Sequence, residues 1–140
     1  MEPRVLLRHQ TIDSLLTQHT ETVADAALIV WTQMAVQIIS IVGEAGFNSL
    51  FARSLFLAQA SFPWLASGAL SHQADLRFAK LKASLEGQTP VQASAANRLL
   101  LITFTDILAA LIGESLTTSI LRAAWGHVAT DKIAKESKHE

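Results

Sequence analysis

Three acidic side chains set in apolar surroundings are the groups best suited to chemistry: Glu44, Asp106 and Glu114. Two carboxylates brought close together resist ionising together, so one is held protonated and can act as a general acid. The glutamates come in matching settings, Ile41-Val42-Gly43-Glu44 and Leu111-Ile112-Gly113-Glu114, and a serine follows five residues after each, at Ser49 and Ser119. On a helical wheel Gln33, Gln37, Ser40, Glu44 and Asn48 fall on one narrow line. Thr103, Asp106, Ala110, Glu114 and Thr117 form a second line of the same kind. A shift of 70 residues lays Gln33 on Thr103, Ser40 on Ala110, Glu44 on Glu114 and Asn48 on Thr118.

Such a line has two places to point. It is either the solvent face of a mostly buried helix, or one wall of a polar seam between the two helices. In the second case Gln33, Gln37, Ser40, Glu44, Asn48, Asp106, Glu114 and Thr117 would line a small-ligand pocket. Packing about a pseudo-twofold would then let Glu44 meet Arg122 and Glu114 meet Arg53. A buried carboxylate needs such a partner, because burial without one forces it neutral.

Other chemistry finds little support in the residue pattern. His9, His72 and His127 each have an acid about one turn on, at Asp13, Asp75 and Asp131. These read as surface contacts, since no Glu-x-x-His pair of the di-iron type occurs. His72 stands between Ser71 and Gln73, a weak setting for a phosphoacceptor. A Gly-x-Ser-x-Gly elbow and a Gly-rich phosphate loop are both lacking, and there is no cysteine. No catalytic residue, metal or cofactor is therefore expected. Phe47, Phe51, Phe56, Phe62 and Trp64 gather in one region, with Trp31, Phe104 and Trp125 elsewhere. Phe62 and Trp64 flank Pro63 in a break between helices and are the expected interface anchors.

The elements that carry these residues are helices throughout. No stretch alternates with a period of two, so no strand is expected. Pro3 suits the first turn of a helix. Thr22, with Asp25 three residues on, reads as an N-cap for a long helix over about 23–60, with a kink or break near Gly43 and Gly46 that would leave two helices in line. Phe62-Pro63-Trp64 ends it. A helix capped by Ser67 runs to Glu86 and stops at Gly87. Thr89-Pro90-Val91-Gln92 opens a second long helix, over about 90–130. The result is an all-α bundle of four or five helices, one domain over 1–130 with a polar, frayed tail over 131–140.

Composition limits the partners. Charged residues make up only 16%, well below the usual quarter, so part of the apolar surface is expected to be covered by something else. A formal net charge of −1 gives no field to draw nucleic acid. Met1 to Gln10 lacks the apolar core of a signal peptide. The run from Ala26 to Gly43 includes Thr32, Gln33, Gln37 and Ser40 and reads as a buried helix rather than a membrane span. Cysteine-free composition fits the cytoplasm. The functional expectation is a non-enzymatic interaction, sensory or regulatory domain that self-associates, as a homodimer or with another helical protein. A small-ligand-binding bundle around Glu44 and Glu114 is the alternative, and an enzyme using paired carboxylates comes third.

Overall fold

The computed structural model describes residues 3–18, 22–65 and 78–125. Helix α1 spans Pro3–Gln18, α2 Val23–Ala58, α3 Ala79–Glu86 and α4 Pro90–Ile112; α5 covers 114–125. No strand occurs among the described residues. The protein is an all-α helical bundle, as its periodicity predicts.

Local chemistry places most helix starts where the sequence puts them. The Thr22 hydroxyl accepts from the Asp25 amide, and the Thr89 hydroxyl from the Gln92 amide, each satisfying a donor the helix leaves open. Pro90 occupies the first turn of α4, where its missing N–H costs nothing. Gly87 caps α3. Ser67, the expected start of the helix before Gly87, lies outside the described residues, as does the 131–140 tail.

The long helices differ from the expectation in one decisive respect. Gly43 has φ 82°, ψ 165°, and Gly113 has φ 95°, ψ 154°. This region of backbone space is open essentially to glycine alone. In each case the chain does not kink and go on in line. It turns back. The Trp31 and Phe51 rings lie 5.2 Å apart edge to face, although twenty residues of straight helix would separate them by about 30 Å. So α2 is a helical hairpin, with arms over 23–42 and 44–58 meeting at Gly43. The helix expected over 90–130 likewise ends at Ile112, and α5 starts immediately after Gly113.

Gly113 closes one helix and opens the next. Its N–H donates to the Ala109 carbonyl, and its own carbonyl accepts from the Thr117 amide at 3.1 Å and the Thr117 hydroxyl at 2.8 Å. The following glutamate then stands in the first turn of the new helix, where negative charge meets the positive end of the helix dipole. This explains the repeated Gly-Glu pair without invoking catalysis: glycine makes the reversal and glutamate suits the new N-terminus.

The two halves are built alike. Residues 34–43 and 104–113 run through the same order of buried, half-buried and exposed positions. The same 70-residue shift lays Arg8 on Phe78 and Leu15 on Leu85, and all four are buried. The short helices are exchanged, since α1 packs on α4 and α3 packs on α2. Between the halves lies an aromatic core in which Trp31 touches Phe51, Phe78 and Phe104, and Phe47 touches Phe51, Phe78 and Phe104. Trp31 and Phe104 are thus central to the cluster from which the sequence pattern separates them. Phe56, placed in that cluster by the sequence, is 66% exposed. The buried indole N–H groups are satisfied: Trp31 donates to Asn97 Oδ1 at 3.0 Å and Trp125 to the Val30 carbonyl at 3.1 Å.

Glycine substitutions separate torsion from crowding. A Cβ at Gly43 or Gly113 would meet nothing within 4 Å, so its cost is the backbone conformation itself. Gly43→Ala and Gly113→Ala are expected to destabilise by about 1–3 kcal/mol each. Gly46 has helical geometry, and its Cβ would approach Val42 Cβ at 3.1 Å. There the gain in helix propensity of about 1 kcal/mol offsets the tight contact, and Gly46→Ala should be near neutral. Urea denaturation of the three variants measures this; equal losses at all three would contradict the assignment of the reversal to Gly43 and Gly113.

Candidate functional site

The densest group of polar side chains surrounds Arg8. Arg8 lies on α1, and its side chain is only 3% exposed. Its Nε donates to Glu114 Oε2 at 2.9 Å and its Nη2 to Glu114 Oε1 at 3.1 Å, a two-pronged pairing. Its Nη1 donates to Asp106 Oδ1 at 2.6 Å and to the Thr105 hydroxyl at 3.0 Å. The Thr105 hydroxyl in turn donates back to the Leu101 carbonyl at 2.9 Å. Around this centre His9 Nε2 lies 2.9 Å from Asp106 Oδ1, and Arg4 Nη1 donates to Ser115 Oγ at 3.2 Å. Further along, Arg98 grips Asp13 with Nε and Nη2 at 2.5 and 3.2 Å.

Each member is positioned by a simple feature. Pro3 starts α1 so that Arg8, Ile12 and Leu15 fall on one helical stripe, and all three are buried. Asp106 and Thr105 sit on α4, seven and eight residues before the reversal at Gly113. Gly113 then turns the chain so that Glu114, at the head of α5, faces the same guanidinium as Asp106.

The electrostatics follow from this geometry. The hydrogen bonds from Arg8 pull the Glu114 carboxyl below its ordinary range, outweighing the upward push of burial. For Arg8, burial acts to lower the guanidinium pKa, but the bonds to Glu114 and Asp106 together win and raise it. Four of the five guanidinium N–H donors are engaged. A carboxylate held ionised against a guanidinium by two hydrogen bonds is a poor general acid or base, so the arrangement fits a clamp between helices better than a catalytic pair.

The predicted site residues do not converge on one seam. On α2, Gln33, Ser40 and Glu44 are exposed, while Gln37 and Asn48 are half-buried. On the second line Asp106 is exposed at its edge and Glu114 half-buried, both on Arg8, and Thr117 is buried against the Gly113 carbonyl. The cation at Glu114 is Arg8 of α1, in place of the expected Arg53; Arg53 and Arg122 are exposed. Phe62 and Trp64 pack edge to face at 5.8 Å and lean on the core, half-buried. His9 faces Asp106, and Asp13, its expected partner, faces Arg98. His72 and His127 lie outside the described residues.

The cluster belongs to one half only. Under the 70-residue shift, Arg8, Thr105 and Thr117 correspond to Phe78, Ala35 and Phe47. Where one half holds its short helix with a buried charge, the other uses an aromatic plug. The chain matches no protein-family model, no curated protein and no solved structure.

Acid tests the clamp. Because folding lowers the Glu114 pKa, its stabilisation is fully present above the unfolded-state carboxylate value of about 4.3 and is lost as pH falls through the lowered folded value. Glu114→Gln should cost about 1.5–3 kcal/mol at pH 7, the range for hydrogen bonds to charged groups. The difference from wild type should then shrink on acidification below about pH 4. Denaturation midpoints at a series of pH values give the comparison; a difference that stays constant down to pH 2 would remove Glu114 from the clamp.

Proposed function

We propose that this protein is a non-catalytic helical interaction domain that self-associates through the outer face of α2. The supporting observation is the chemistry of that face. From Ala26 to Gly43 there is no ionisable side chain, yet Ile29, Thr32, Gln33, Val36, Ser40 and Ile41 are exposed. Val36 is 63% exposed and Ile41 50%. A helix face meant for water normally carries charge. The second arm continues the pattern with exposed Ala45, Ser49, Ala52, Phe56 and Leu57, interrupted by Glu44 and Arg53. Of the three carboxylates that would favour an enzyme or a ligand pocket, Asp106 and Glu114 are engaged by Arg8 on the other half of the bundle, away from exposed Glu44.

By length and composition α2 and α4 are both apolar enough to cross a membrane, with 39% of each apolar window buried inside the protein. The reversal at Gly43 leaves only the 23–42 arm of α2 near the roughly 20 residues a span needs. Polar Thr32, Gln33 and Ser40 on its exposed face suit a protein partner better than lipid.

Light scattering after size exclusion should give a mass above that of one 15.2 kDa chain. Val36→Lys, placing a charge at the centre of the face, should return it to the monomer while leaving far-UV ellipticity unchanged. A wild-type chain that stays monomeric at about 100 µM would rule out self-association of useful strength.

A further inference from the structure

The two short helices are seated differently, α3 mainly by apolar side chains with one exposed Lys82–Asp25 pair, and α1 around a buried charge. Helix α3 is seated by Phe78 at its start and by Leu81 and Leu85, with the Phe78 ring against Trp31, Phe47 and Phe51. Helix α1 fully buries Ile12 and Leu15, with Leu16 half-buried against the same core, beside the charged Arg8. Leu6 and Leu7, in its first turns, are 47% and 61% exposed. What fixes that end is polar: Arg8 on Glu114, Asp106 and Thr105, His9 on Asp106, and Arg4 on Ser115. Asp13 on Arg98 fixes the other end.

From this contrast we infer that α1 is a releasable clasp: it can undock from α4 and α5 as a unit while the two helical hairpins stay folded. Undocking opens the stretch of α4 between Arg98 and Asp106, which carries Leu99, Ile102 and Thr105. The corresponding stretch of α2, 28–36, already exposes Ile29 and Val36. Release leaves the second half without the cover that α3 gives the first, and bares the half-buried Leu99 and Ile102. The inference stands apart from self-association, since α1 can undock from a monomer.

The groups that set the clasp's response to acid and salt are few. They are Arg4, Arg8, His9 and Asp13 on α1, Arg98 and Asp106 on α4, and Glu114 on α5. The Asp13–Arg98 pair is solvent-exposed on both sides and yields to salt first. Arg8, walled off from water, holds until its partners are protonated or it is removed.

Helix α1 contains no aromatic residue, whereas Trp31 and Trp125 are buried in the hairpins. This makes undocking visible apart from unfolding. The experiment is hydrogen exchange with mass spectrometry on the full chain, alongside far-UV ellipticity and tryptophan fluorescence. It compares wild type, Asp13→Asn and Arg8→Met, at low salt and at about 1 M NaCl. Protection over 3–18 should fall by about tenfold or more in Arg8→Met, and less in Asp13→Asn at high salt, with protection over 30–38 and 100–108 unchanged. Ellipticity should fall without a shift in tryptophan emission. Exchange that rises together in α1 and in 30–38, in whichever variant folds, would overturn the inference by making α1 part of one cooperative unit. Unchanged protection of α1 in Arg8→Met would overturn it as well. If Arg8→Met does not fold, Asp13→Asn across the salt series decides between these outcomes.

Discussion

Everything in this bundle depends on two glycines adopting a backbone conformation that other residues avoid. Gly43 and Gly113 have nearly the same φ and ψ, and each reverses a helix that would otherwise run straight. Without the reversal at Gly43, Phe47 and Phe51 would lie far along the axis from Trp31, and the central aromatic cluster would not exist. Without the one at Gly113, Glu114 would be carried about 12 Å beyond Asp106, and Arg8 could not bind both. The strain is local and open to solvent, since no atom crowds either position. The hairpins are therefore held shut by what packs between their arms, and the glycines only permit the turn.

Given two hairpins of one design, their differences carry the information. Phe78, Phe47 and Ala35 make one half dry at the point where Arg8, Thr117 and Thr105 make the other polar. An aromatic plug depends on area removed from water and is little affected by salt or pH. A buried guanidinium between two carboxylates costs desolvation on forming and repays it only while every partner keeps its charge. A chain that needed stability alone would gain more from a second plug, so the charged version marks the half where attachment of the short helix is conditional.

How much of this was legible in the sequence divides along the range of the interactions. Thr22, Thr89 and Pro90 act on neighbours within four residues, and those helix starts are where the pattern puts them. The all-helical class follows from periodicity over similar distances. Gly43 and Gly46 stood out as weak points while Gly113 lay inside one expected helix, and a propensity cost alone does not separate a kink from a reversal. The signal that does is the glutamate after Gly43 and after Gly113, which suits a fresh N-terminus better than a helix interior. The polar line from Gln33 to Asn48 was visible too; that it points mainly outward, and does not face its counterpart, is set by packing between halves.

Arg8 was the residue least open to sequence reasoning, and the reason is physical. It stands 106 positions from Glu114 and 98 from Asp106. Alone it reads as an ordinary surface charge near the start of a helix, and its neighbours Leu6 and Leu7 suggest nothing else. Glu114 and Asp106 did register as carboxylates in apolar settings that would need a cation. Arg53 and Arg122 were the natural candidates because they lie on the same long helices. The cation came from α1 because the halves exchange their short helices, so each hairpin is covered by the helix nearer the other in the chain. That exchange joins the two halves through α1 as well as through the aromatic core. It also places the buried guanidinium at α1, where its loss is expected to free that helix and leave the core intact.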